Sequence, residues 1–184
     1  SGVGVVKNYL NQYVLSAWSP FTFEKFNWVI VSEMAVSEVL NPRDEEGAEF
    51  YASYVELNQY YELFLIHPDG EIFYTVAKDV DYQTNILSGP YSESNLGRVV
   101  RQAMSTESIS FIDFESYAPS GMAPAAFLVN PVLRASLQEE DDWQAFIKTW
   151  SGVQEGEGNT QLLVALQLSD STLNEVMLQR TGLG

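Results

Sequence analysis

The chain contains no cysteine and a single histidine, His67. Without thiolates, and with one imidazole, zinc sites, iron–sulfur clusters and cysteine nucleophiles lack their ligands, which leaves a hard cation on oxygen ligands as the metal option. Positive charge is scarce too. Nine Lys and Arg face 25 Asp and Glu, a formal net charge of −16, and that field repels nucleic-acid phosphates and anionic lipid headgroups. Nucleic acid is set aside as a partner. No apolar run reaches the roughly 18 residues that span a bilayer, and no basic segment followed by an apolar one marks a signal peptide. Attachment to a membrane is expected only through segments absent from this sequence. Ser1-Gly2 reads as the scar of a cleaved tag.

What is present is enough to fold. The 184 residues are 46% apolar, 13% aromatic and 18% charged, outside the range of disordered chains and suited to one domain or one domain plus a fragment. Residues 13–17 are β-prone, Ser19-Pro20 breaks them, and residues 26–34 form a second strand-like run. Residues 34–40 turn helical, and Asn41-Pro42 with the charged residues 43–46 marks a seam. Phe50, Tyr54, Leu57 and Tyr61 recur at helical spacing, giving a helix over residues 49–60 with an aromatic face. The clearest signal follows. YELFLIH, Pro68-Asp69-Gly70 and EIFYTVA form a β-hairpin, with Gly where the turn needs a positive φ.

Residues 79–94 hold many turn formers and few periodic apolar positions, so they read as a long structured loop of the kind that often carries function. A short helix over 95–104, capped by Asn or Ser, leads to strands at 108–114, 124–133 and 161–169. Between the last two lies an insertion, 134–160, with a helical aromatic stripe at Trp143, Phe146, Ile147 and Trp150. A final helix spans 170–180. This order predicts an α+β fold, an antiparallel sheet with flanking helices packed to one side, in the manner of PAS-like modules.

From Tyr60 to Gly184 the chain resembles the extracytoplasmic Cache (PAS-like) sensor domains of bacterial chemoreceptors and membrane-bound sensor kinases or cyclases. The blocks that carry the resemblance are YYELFLIHPDGEIFYTVAKDVDYQTNILSGPY, FIDFESYAPSGMAPAAFLVNPV and LLVALQLSDSTLNEVMLQRTGLG. Only the insertion departs, being longer than the tight hairpin such modules have there. Residues 13–40 are similar to the closing strands and exit helix of a membrane-proximal Cache module, here placed first. A tandem array of modules or a rearranged order accounts for that. The resemblance accordingly implies that residues 1–45 are the end of a preceding module and that 46–184 are a ligand-sensing domain with an insertion at 134–160.

The resemblance implies a pocket between the sheet and the long loop. Asp113 and Tyr117 flank a loop over its mouth, where a carboxylate accepts from a ligand ammonium and a phenol closes a wall. Tyr74, Tyr82 and Tyr91 add aromatic surface with polar tips. Phe127 and Gln167 come from central strands, and the face each presents depends on register. Asp79, Asp81 and Asn85 superficially suggest a calcium loop but lack the rest of its ligand pattern, so no metal or other cofactor is expected. His67 reads as a solvated turn residue, and Asp113 with Glu115 is the one sequence-close carboxylate pair. Nothing completes a catalytic constellation around it. The expected function is an extracytoplasmic, periplasmic or extracellular sensor module of a chemotaxis or two-component receptor, not an enzyme. It would bind a small amino acid, amine or carboxylate, and a homodimer is allowed. The alternative is a spacer or dimerisation module of the same kind of receptor that binds nothing.

Overall fold

The computed structural model describes residues 1–133 and 159–169. The expected helices at 143–150 and 170–180 lie outside the described residues, as does nearly all of the 134–160 insertion. Two antiparallel sheets organise the rest. The first comprises β1 (Gly2–Lys7), β2 (Tyr13–Phe23) and β3 (Phe26–Ala35), in that spatial order. The second is built from β4 (Glu62–Ile66), β5 (Ile72–Thr75), β6 (Ser110–Tyr117), β7 (Ala123–Leu133) and β8 (Thr160–Ser169), in the order β5-β4-β8-β7-β6. Among the described residues three α-helices accompany them: α1 (Val36–Leu40), α2 (Phe50–Leu57) and α3 (Asn95–Thr106). The α+β class is as expected, but the helices are not confined to one side of the sheet.

Side-chain alternation explains the layering. On one face of the five-stranded sheet, Phe64, Ile66, Phe127, Val129 and Leu163 pack against Leu96, Val99 and Val100 of α3. On the other, Leu63, Leu65, Phe73 and Leu162 meet Val36 and Leu40 of α1 and Val55 of α2. Strands rich in β-branched and aromatic residues suit β4 and β5, where both faces are removed from water. The aromatic stripe expected to bury α2 does the reverse. Phe50, Tyr54, Leu57 and Tyr61 are exposed, and Val55 supplies the buried contact.

The β4–β5 hairpin turns as its sequence dictates. The Gly70 N–H donates to the His67 carbonyl at 2.8 Å, and Gly70 has φ +97°, a conformation costly for any residue with a Cβ. Asn85 braces that turn from the long loop, donating to the Asp69 carbonyl at 2.9 Å and accepting from the Leu87 and Ser88 N–H groups. Asn85 is therefore a brace of the hairpin turn. His67 is buried, not solvated: its ring stacks on Tyr13 with centroids 4.6 Å apart, which ties the hairpin to β2. Tyr13 also donates to Asp69 at 2.8 Å.

In the three-stranded sheet, Ser19-Pro20 does not end a strand. β2 continues through Pro20, which lies opposite Val29. Pairing with β1 stops at Trp18, so Pro20 sits where β2 has an open edge, the position that tolerates a residue without an N–H. Ser1-Gly2, read from sequence as a tag remnant, opens β1, with Gly2 opposite Trp18.

Candidate functional site

The five-stranded sheet positions a polar cluster at the end of its α3-facing layer. Direct pairing sets Glu62 of β4 opposite Gln167 of β8, and Gln167 opposite Phe127 of β7, so the three share one row across the sheet. The Phe127 ring meets that of Tyr117 edge-on at 4.9 Å. Tyr117, at the end of β6, donates its hydroxyl to Asp81 Oδ2 at 2.6 Å across the layer. Gln167 Nε2 donates to Ser120 Oγ at 3.0 Å. Glu62, Asp81 and Tyr117 are each 1% exposed.

Asp81 carries the unusual feature. Its Oδ1 is buried with no hydrogen-bond partner among the described residues. A buried unpaired oxygen forfeits its hydration with nothing in return, at a cost of roughly 1–3 kcal/mol. Burial pushes the Asp81 carboxyl up from its usual range, while the Tyr117 hydroxyl and the nearby N–H groups of Asp81 and Tyr82 pull it back. The Glu62 carboxyl rises to about 7, again by burial, against hydrogen bonds from the N–H groups of Ala77, Leu63 and Val76. The phenol of Tyr117 is raised by burial and by the negative charge of Asp81, with smaller effects from Tyr91 and Glu62. The cluster is acidic, and no described cation pairs with its carboxylates.

The long loop is held firmly beside it. Ile86 is fully buried in the layer, and Tyr91 is partly buried against it. Arg101 of α3 donates to the Ser92 and Leu87 carbonyls at 2.8 and 2.9 Å. Ser94 caps α3 by accepting from the Gly97 N–H at 3.2 Å. Asn95 Nδ2 donates to the Ala125 carbonyl at 2.7 Å, fixing the helix on β7.

Four of the seven residues expected at the site lie in or against this layer: Tyr117, Phe127, Gln167 and Tyr91. Asp113 does not. A bulge between Ile112 and Glu115 inserts one residue into β6, so the inward parity changes along the strand. Asp113 is exposed and, among the described residues, accepts only from the Phe114 N–H at 2.8 Å. Its sequence neighbour Glu115 is also exposed and pairs with Arg98, so the two carboxylates form no acid–base pair at the cluster. Tyr74 and Tyr82 instead line a separate cavity that Asn41 and Glu49 also border. The Tyr74 ring belongs to the α2-facing core. Sequence reasoning missed Asp81 and Glu62 as members of the cluster. The one available signal was an acidic residue inside a long loop, and alternation on β4 gave no hint that Glu62 points inward.

The fold and site define a class: an α+β module whose five-stranded antiparallel sheet packs helices on both faces and holds a buried acidic cluster. No protein-family model matches the chain, and no curated protein is similar to it in sequence. Among the described residues no helix is long and apolar enough to cross a membrane, and no group of His, Asp and Glu is arranged to hold a metal ion.

Proposed function

We propose that the chain is a Cache-like (PAS-like) sensing module of a transmembrane receptor, exposed outside the cytoplasm, and that it binds a small cationic metabolite of the amine class at Asp81 and Tyr117. The observation that carries this reading is the buried Asp81 Oδ1, which lacks a donor in a layer with no described cation. A ligand ammonium supplies both the missing hydrogen bond and the missing charge. Its entry draws on residues 79–94, because Asp81 belongs to that loop while Tyr117 belongs to the sheet. Binding then favours the arrangement in which Tyr117 holds Asp81, as in this structure, over one with the loop drawn away, and that differential affinity is what a receptor transmits. Separation of Asp113 and Glu115 from the cluster supports recognition over catalysis. The dense packing of Phe64, Phe127 and Ile86 beside the cluster favours a second reading, a spacer that binds nothing.

A thermal-shift panel of small amines, amino acids and carboxylates separates the two. At a hundredfold excess over Kd, a ligand that binds only the native state raises Tm by on the order of 5 °C. The sensing reading expects a shift for amines that Asp81→Asn abolishes while Asp113→Ala leaves it intact. A flat response across the panel supports the spacer.

A further inference from the structure

The opposite face of the five-stranded sheet holds a cavity of about 470 Å³, bordered by α1, the start of α2 and the end of β5. Its floor is built and buried. Asn41 and Tyr74 are only 6% and 4% exposed. Asn41 Nδ2 donates to Glu49 Oε2 and to the Tyr74 hydroxyl, each at 2.9 Å. The Tyr74 hydroxyl in turn donates to Glu49 Oε2 at 3.1 Å. Arg43 spends one donor on Glu49 Oε1 at 3.0 Å and keeps the rest of its guanidinium for another acceptor.

Around that satisfied floor stand two charges of opposite sign without partners. Lys78 and Glu38 both line the cavity, and neither forms a hydrogen bond through its charged group or an ion pair among the described residues. Positive charge is rare in this chain, with nine cationic side chains against 25 acidic ones. Two of those nine, Arg43 and Lys78, converge on this one cavity. Lys78 also holds a left-handed backbone, φ +56°, fixed by its N–H donating to Thr75 Oγ1 at 2.7 Å.

We infer that this cavity is a second binding site, for a small amino carboxylate, in which Lys78 and the spare donors of Arg43 take the carboxylate and Glu38 takes the ammonium. A zwitterion matches a cavity lined by both an unpaired cation and an unpaired anion, whereas a simple amine or a simple carboxylate satisfies only one of them. The Tyr82 side chain supplies an aromatic wall for the ligand's carbon skeleton. This site is separate from the Asp81 cluster, since it lies against the α2-facing core.

Isothermal titration of the full chain with each common L-amino acid, with acetate and with methylammonium tests the inference. At least one amino acid binds more tightly than either half-ligand, and Lys78→Gln weakens it by about tenfold or more. Glu38→Gln weakens it too, while Asp81→Asn leaves it unchanged. Amino-acid binding lost in Asp81→Asn but intact in Lys78→Gln overturns the second site and leaves the sensing proposal standing. No binding by any amino acid overturns it outright, and an amine hit at Asp81 would survive that result.

Discussion

At the residue scale the chemistry turns on carboxylates that the fold buries without a cation. Glu62 is the clearest case, with its carboxyl raised to about 7 from an ordinary value of 4.5. Between those two values the folded chain keeps a proton that the unfolded chain has released. Stability from this group is thus complete below the ordinary value and falls as pH rises through about 7, by roughly 3 kcal/mol at most. Asp69 does not confuse the window. Burial alone would raise it, but His67, the Glu71 N–H and Tyr13 outweigh burial and hold it below the usual carboxylate range. Its contribution is lost only at more acid pH. Denaturant melts at a series of pH values should therefore show declining stability from about pH 5 to pH 7.5 in the wild type, and Glu62→Gln should flatten that decline. An unchanged slope in the variant would remove Glu62 as its source.

At the element scale, the hairpin, α3, β7 and β8 were legible because each is written in a local pattern. A turn sequence with Gly, a capping Ser and runs of branched residues need no knowledge of partners. The β6 bulge was not legible, because it arises from pairing with β7, where one extra residue separates Ile112 from Glu115. Asp113 faces outward in phase with Phe111, and that single residue shifts the parity so that Tyr117 faces in. Asp81 was visible only as an acid in a loop, since its burial depends on Tyr117, 36 positions away. Tyr74 and Tyr82 kept their aromatic character but lie on the other side of the sheet, a choice that alternation alone leaves open. The loop's anchorage yields a sharp prediction. A Cβ at Gly97 would collide with the Ser92 carbonyl, which is backbone and cannot swing aside. Gly97→Ala should lower Tm by several degrees, on the order of 1–3 kcal/mol, and speed proteolysis within residues 79–94. Asp113→Ala, on an exposed bulge, should stay within about 0.5 kcal/mol of wild type.

At the scale of the whole molecule, the two sheets differ in how much they hide. In the five-stranded sheet β4 and β5 are buried on both faces, whereas the three-stranded sheet leaves Phe21, Phe23, Phe26, Trp28, Val29 and Ile30 about half exposed or more. Among the described residues neither its β1 edge nor its β3 edge has a further strand. Exposed edges of apolar strands are an association hazard. The net charge of −16 opposes it by mutual repulsion, and salt screens that repulsion. Light scattering should thus show self-association growing with ionic strength, and Phe23→Thr with Trp28→Thr should suppress it. Association that weakens with salt would place the contact elsewhere.

Recognition of a cation by Asp81 is tested most directly by titrating the amine that gives the largest thermal shift into wild-type chain and into Asp81→Asn by calorimetry, with the recovered amine inspected by NMR. Saturable binding in the wild type, its loss in the variant and an amine returned unaltered are the predicted results. Equal affinity in both proteins, or a chemically changed amine, would contradict the account.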